Sequence, residues 1–220
     1  MDTIKSYIAF FDLDKTILSI NSGHVLVREA YKSRLMSTAD LLNAIYLSWL
    51  YKFNLRDTAV IISGMGKWLK GLTVAQVTEL CERVVYKHLI GTIRSGISSE
   101  IKFHRDQNAE IVILSSAIME MCRPLAAYIG ADNSVCTVME VVNGVLTGFP
   151  ETKFCFEDEK RVRLLEYCES GNYDLKKAFY YGDSISDVPA LEVVGHPVCV
   201  APDRKLSAIA REKGWRIFER

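Results

Sequence analysis

The chain has 220 residues, with 27 basic against 27 acidic side chains and 49% hydrophobic residues. Balanced charge leaves no electrostatic footprint for a polyanion and argues against nucleic acid as a partner, while the apolar fraction suffices for one substantial domain plus a smaller subdomain. Six cysteines without a Cys-x-x-Cys pair argue against structural zinc and for reduced thiols in the cytoplasm.

The first element is an apolar run, Tyr7-Ile8-Ala9-Phe10-Phe11, that reads as a buried strand and stops at Asp12. The six residues ahead of Tyr7 are short of a signal sequence and polar. Helical spacing then dominates to about residue 105, with helices expected near 23–34, 38–53, 57–70 and 74–90. Two of these have start signals: Ser37-Thr38 ahead of Ala39-Asp40, and Thr73 ahead of Val74-Ala75-Gln76. The longest apolar stretch, Leu41 to Phe53, is broken by Asn43 and Ser48 and is too short to span a bilayer, which needs about 20 residues. Its Ile45, Tyr46, Trp49, Leu50 and Phe53 are expected to pack the helical region's own core.

From residue 94 helix and strand alternate. A helix is expected over 94–107, a strand over 110–114, a helix over 118–129 and a strand over 135–140. Asn143-Gly144 between two apolar runs signals a hairpin. A helix over 158–169, strand 177–182, helix 186–193, strand 197–200, helix 204–213 and short strand 215–218 follow. This alternation implies an α/β fold with a doubly wound, mostly parallel, Rossmann-like sheet. The helical stretch interrupts it after the first strand and reads as an inserted cap, which divides the chain into a core of 1–20 and 95–220 and a cap of 21–94.

Three of the apolar runs end in polar chemistry. The first delivers Asp12 and Asp14, with Thr16 beyond; Ile111–Leu114 delivers Ser115-Ser116-Ala117; and Ala178–Tyr181 delivers Gly182-Asp183, with Asp187 beyond. Parallel strands place such ends on one edge of the sheet, where ligands bind. Lys160 lies between the last two, at an expected helix start. Adjacent carboxylates repel and are costly to bury unpaired, so a divalent cation would resolve the conflict and equip the edge for phosphate chemistry. Each group has a plainer reading alone: Ser115 as a helix N-cap, Lys160 as a solvated helix residue, Asp187 as a cap. Their convergence argues for a site.

The ordered set Asp12-x-Asp14-x-Thr16, Ser115, Lys160 and Gly182-Asp183-x-x-x-Asp187 resembles the haloacid dehalogenase superfamily, and within it the phosphoserine-phosphatase-like subfamily IB. Phe154-Cys155-Phe156, Val194-Gly195-His196-Pro197 and Pro202-Asp203 extend the resemblance over nearly all the chain. It implies a Mg²⁺-dependent phosphomonoesterase with a cap of the superfamily's first type. Asp12 is expected to attack phosphorus, and Asp14 to protonate the leaving oxygen and then activate water. The resemblance implies that Asp12 and Asp183 give carboxylates to the metal and Asp14 its backbone carbonyl. Ser115 and Ser116 are expected to bind the phosphate, Lys160 to oppose the metal, and Thr16 and Asp187 to support the site, Asp187 by orienting Lys160 or a metal-bound water. Asp14-Lys15-Thr16 also matches the phosphorylation sequence of ion-pumping ATPases, but the chain is too short for a pump's membrane helices.

A small-molecule phosphomonoester is the expected substrate. Phosphoserine phosphatases of the subfamily place a glutamate after the first motif and an arginine in the cap; here Asn21 and Met65 fall at those places, with Arg28 or Arg56 as stand-ins. The apolar character of residues 41–53 would also suit an apolar-tailed substrate such as a lysophospholipid phosphate. The runner-up functions are a phosphotransferase, in which an alcohol replaces water, and a non-catalytic binding protein. The intact set of Asp12, Asp14, Ser115, Lys160 and Asp183 weighs against the latter.

Overall fold

The computed structural model describes residues 5–52, 61 and 64–219. Its centre is β1, Tyr7–Phe11, in which every residue after Tyr7 is buried. Alternation sends Ala9 and Phe11 into the core on one face of the sheet, and Ile8 and Phe10 into the core on the other. Burial on both faces explains the unbroken apolar run, because a strand covered on both sides has no polar positions. A side chain of this size contributes about 1.5–3 kcal/mol when fully buried.

Between β1 and the next strand the described residues are mainly helical. It forms α1 (Ser22–Lys32), α2 (Thr38–Lys52), α3 (Val74–Val84) and α4 (Ser95–Asp106). Thr73 begins α3 with a reciprocal cap, its hydroxyl accepting from Gln76 N–H at 3.2 Å while its own N–H donates to the Gln76 side chain at 2.9 Å. Part of the helix expected over 57–70 falls outside the described residues; 61, 64 and 65 are helical, and Lys67–Leu69 forms one tight turn.

The remainder runs β2 (Ala109–Ile118), α5 (Met119–Ile129), β3 (Asn133–Thr137), β4 (Met139–Val142) and β5 (Val145–Pro150). It continues through α6 (Asp158–Ser170), β6 (Phe179–Gly182), α7 (Val188–Leu191), β7 (His196–Val200), α8 (Arg204–Lys213) and β8 (Arg216–Phe218). Six strands form one parallel sheet in the order β3-β2-β1-β6-β7-β8. The doubly wound α/β fold is therefore as expected, and β1 lies at the point where the strand order reverses.

Two strand boundaries differ from the sequence reading. β2 runs to Ile118 rather than Leu114, with its pairing to β3 irregular between those residues, so Ser115 and Ser116 lie within the strand and not at a helix start. The expected strand over 135–140 is two elements, because the chain leaves the sheet after Thr137 and turns into the hairpin. That hairpin, β4–β5, pairs antiparallel around Asn143 (φ 51°) and Gly144 (φ 80°). Positive φ at both positions is what its two-residue turn requires.

Candidate active site

The carboxyl edge of the sheet gathers the chemistry. Phe11 of β1 pairs with Ile113 of β2 on one side and Tyr181 of β6 on the other, so Asp12 emerges between Ser115 and Asp183. The backbone N–H of Asp12 still donates to Tyr181 O at 2.9 Å, which fixes it as the last ordered position of the strand. The chain then reverses through Lys15, held at φ 60°, a left-handed conformation that costs about 1–2 kcal/mol for a residue with a Cβ.

Lys160, in the first turn of α6, is buried and stands at the centre of the cluster. Its ammonium donates to Asp12 Oδ1 at 2.6 Å, to Asp187 Oδ1 at 2.7 Å and to Tyr180 Oη at 3.2 Å. Asp187 is saturated: Tyr180 Oη–H donates to it at 2.7 Å, and the N–H groups of Asp183 and Ser184 at 3.1 and 3.2 Å. It thus closes a reciprocal cap with Ser184 and orients Lys160 at once. Gly182 makes room for this arrangement, since a Cβ there would meet Asp187 side-chain carbons at 2.7 Å.

Electrostatics follow from burial. Burial pushes the Asp12 carboxyl up to about 7; Lys160 opposes this, while Asp187 and Asp14 add to it. Asp183 is pushed up to about 8, by burial first and then by the charges of Asp12 and Asp187. Burial would raise Asp187 too, yet the Lys160 charge and its hydrogen bonds hold it below the usual range. Burial alone would lower the Lys160 ammonium, but Asp12 and Asp187 hold it well above.

One buried cation therefore faces a carboxylate cluster. Asp12, Asp183 and Asp187 each place an oxygen within 4.8 Å of the others. No group among the described residues hydrogen-bonds the Asp183 carboxylate. An all-oxygen donor set with an unsatisfied member and excess negative charge fits a hard divalent cation.

Asp14 lies two residues beyond Asp12, half-buried, with its Oδ1 accepting the Ser22 N–H at 2.7 Å. Burial pushes its carboxyl above the usual range. Thr16 is fully buried and its hydroxyl has no partner among the described residues. Ser115 is buried, its hydroxyl accepting from Ala117 N–H at 3.2 Å, and it caps no helix. Ser116 is half-buried and anchors the edge through its carbonyl, which accepts from Thr137 Oγ1 at 2.9 Å.

The structure thus brings Asp12, Lys160, Asp183 and Asp187 into direct contact or near-contact, with Asp14 on the loop after β1 and Ser115 within the neighbouring strand β2. Two contributors were given no site role in the sequence reading: Tyr180, and Asp203, which entered only through the Pro202-Asp203 resemblance. Tyr180 faces the site while Tyr181 stacks on Phe11 across the sheet, at 4.3 Å between ring centroids. Asp203 caps α8 through Leu206 N–H at 2.8 Å, accepts from Ile185 N–H at 3.3 Å, and sends its own N–H to Asp183 O at 2.9 Å. The alternation of β6 was the available signal for Tyr180; an N-cap pattern was the one for Asp203.

The substrate-side expectations fare differently. Asn21 is the N-cap of α1, accepting from His24 N–H at 3.1 Å. Met65 packs with Leu47, Leu50 and Ile61 inside the helical insertion. Leu50 is buried as expected, but Ile45, Tyr46 and Trp49 are 57%, 53% and 51% exposed, because α2 turns that stripe outward. Phe53 and Arg56 lie outside the described residues.

Comparison with known proteins bears on the family and the fold. The family model for haloacid dehalogenase-like hydrolases matches residues 9–192. A phosphoserine phosphatase of Mycobacterium tuberculosis is 27% identical over 95% of this chain and 69% of its own length. A histidinol-phosphatase of Neisseria meningitidis is 24% identical over 96% of this chain and 97% of its own. A Bordetella pertussis protein of unknown function has the same fold, with a TM-score of 0.87 at 21% identity over 96% of this chain and 97% of that one.

Proposed function

We propose that this phosphatase, a chain that belongs to the haloacid dehalogenase-like hydrolase family, cleaves small organic phosphomonoesters through an aspartyl-phosphate on Asp12. The observation that carries this reading is the Asp12 carboxylate itself: buried at the end of the central strand, and aimed by a single short bond from Lys160. A carboxylate so held is a positioned nucleophile, and positioning with charge neutralisation is most of what phosphoryl transfer requires.

Asp14 suits the proton transfers. Burial raises its carboxyl above the usual range, which favours the protonated form that would give a proton to the leaving oxygen; as the carboxylate it would later take one from the water that attacks the aspartyl-phosphate. Ser115, with Ser116 beside it, would donate to the transferring phosphate from the end of the neighbouring parallel strand. Lys160 supplies fixed positive charge and, being held by Asp187 and Tyr180, does not reorganise during the reaction. Asp12, Asp183 and the Asp14 backbone carbonyl would hold Mg²⁺, with Asp187 near by; the ion would neutralise phosphate oxygens. Thr16, buried in the turn that follows the two catalytic aspartates, would support that turn by packing.

Residues 21–94 act as the cap in this reading, and 1–20 with 95–220 as the core. The six cysteines are free and buried, which accords with a cytoplasmic protein. No helix among the described residues is long and apolar enough to cross a membrane.

The test is inorganic phosphate release from a panel of phosphomonoesters, with and without Mg²⁺, comparing wild type with Asp12→Asn. The panel holds phosphoserine, histidinol phosphate, sugar phosphates and glycerol phosphate. Metal-dependent release abolished in Asp12→Asn is the expected result. Capture of phosphate by added alcohols in place of release would identify a phosphotransferase. A folded protein that releases nothing from any ester would refute the reading.

A further inference from the structure

The helical insertion carries a groove between α1 and α2 that the chemistry above does not use. It encloses about 420 Å³ and is lined by Val27 and Tyr31 of α1 and by Leu41, Ala44, Ile45 and Ser48 of α2. Along its rim run His24, Arg28 and Lys32, spaced four residues apart on one face of α1. The wall is largely apolar; α2 has only Asp40 and Lys52 as charged residues in fifteen.

One end of this groove is fixed to the catalytic loop. Ser22, the first residue of α1, donates its N–H to Asp14 Oδ1 at 2.7 Å, and His24 follows in the same helical turn. From there the groove follows α1 outward to Lys32, about 12 Å at the helical rise per residue. Beyond it, Leu42, Ile45, Tyr46 and Trp49 continue the apolar surface of α2, each more than half exposed. The basic rim is partly neutralised within α1: Glu29 lies 3.1 Å from Lys32 and 4.0 Å from Arg28. Nothing in the groove therefore asks for a second strong anion far from the site, whereas His24 stands at the end where a phosphate would lie.

The geometry points to an amphiphilic substrate: a phosphomonoester whose phosphate reaches the Asp12 edge and whose alkyl or acyl tail lies in the groove between α1 and α2. The inference rests on the phosphatase reading and adds the class of its substrate. A groove that served only a second copy of the chain would have no reason to begin at the catalytic loop. A tail does, because its head group must be delivered there. The same position explains why the insertion leaves apolar side chains facing outward when its own core has Leu47 and Leu50 to bury.

The test uses the full chain and n-alkyl phosphates from ethyl to decyl, each below its micellar concentration. KM is expected to fall about twofold to fourfold for each added methylene, the lower figure for one covered on a single side, and to level once the tail outruns the groove. Ala44→Phe fills the groove and should flatten this dependence, with circular dichroism reporting that the variant is folded. Ser48→Leu extends the apolar wall and should lower KM for the long esters alone, a gain that misfolding cannot imitate. A KM independent of chain length, with ethyl phosphate hydrolysed normally, would overturn the inference and leave the phosphatase reading standing. The same flat series with a dimer that dissociates on Tyr46→Glu would replace the tail with a second copy of the chain. Release of phosphate from no ester of any length would remove the phosphatase reading and this inference with it.

Discussion

Replacing Lys160 by Met tests whether the buried ammonium organises the catalytic edge. The substitution nearly conserves volume, so no large cavity forms, and the effect isolates the charge. Lys160 is 3% exposed and donates to Asp12 at 2.6 Å and to Asp187 at 2.7 Å. Asp187 would keep its bonds from Tyr180, Asp183 and Ser184, whereas Asp12 would lose its side-chain partner. Leaving one buried carboxylate unpaired costs about 3–5 kcal/mol.

Protonation limits that loss and gives it a pH signature. The folded Asp12 carboxyl already sits at about 7, above the roughly 3.9 of an unfolded aspartate. A group raised in this way favours the fold at low pH and loses that contribution as pH climbs through its folded value. Without Lys160 the folded value rises further, so the gap between wild type and variant should be widest near pH 8 and narrow towards pH 5. Urea unfolding without Mg²⁺ at both pH values measures the gap. Phosphate release should fall roughly a hundredfold to a thousandfold, the effect of removing one fixed electrostatic donor. A stability change below about 1 kcal/mol at pH 8, with turnover intact, would refute the assigned role.

Asp14→Asn should leave the fold intact and slow alkyl phosphates by roughly two to four orders of magnitude, with a much smaller effect on an aryl phosphate whose leaving group needs no proton; equal losses on both would contradict its assignment as the acid. Tyr180→Phe removes one hydroxyl from the Lys160–Asp187 network and should cost about 1 kcal/mol in urea unfolding, with turnover reduced but not lost. His104, bonded to Tyr7 Oη at 2.7 Å and Tyr181 Oη at 2.8 Å, is held down to about 4 by burial. Its neutral form favours the fold above pH 6.5, and that contribution drains as pH falls towards 4. His104→Gln should therefore show a shallower loss of stability than wild type over that window, and parallel curves would contradict the assignment.

Most of the edge was readable because charge interrupts an otherwise apolar strand, an arrangement with few explanations other than chemistry. Asp12 and Asp183 announce themselves by following Phe11 and Gly182, and Lys160 by its order between two such strands. What resisted reading depends on facing rather than on residue type. Tyr180 and Tyr181 are identical letters, and only the pleat sends one to Lys160 and the other to Phe11 and His104. Helix α2 shows the same difficulty: a helix apolar on several faces does not announce which is covered, so Ile45, Tyr46 and Trp49 read as core. The early end expected for β2 has a related cause, since serines after an apolar run resemble a cap as readily as an irregular strand.

The β4–β5 hairpin has a mechanical consequence. It springs from the core after Thr137, yet its backbone is stitched to the helical insertion: Gly71 N–H donates to Leu146 O at 2.9 Å, Leu146 N–H to Leu72 O at 2.8 Å, and Val74 N–H to Gly144 O at 3.3 Å. Gly148 lets the two segments approach so closely that a Cβ there would lie 3.1 Å from Lys67 O. An insertion joined to its host only at its two chain crossings would swing like a door on a pair of adjacent hinges. This one also drags a strap. Any opening that admits substrate must flex at the roots of the hairpin, around Val138 and Glu151, so residues that touch no reacting atom would set how far and how fast the door moves.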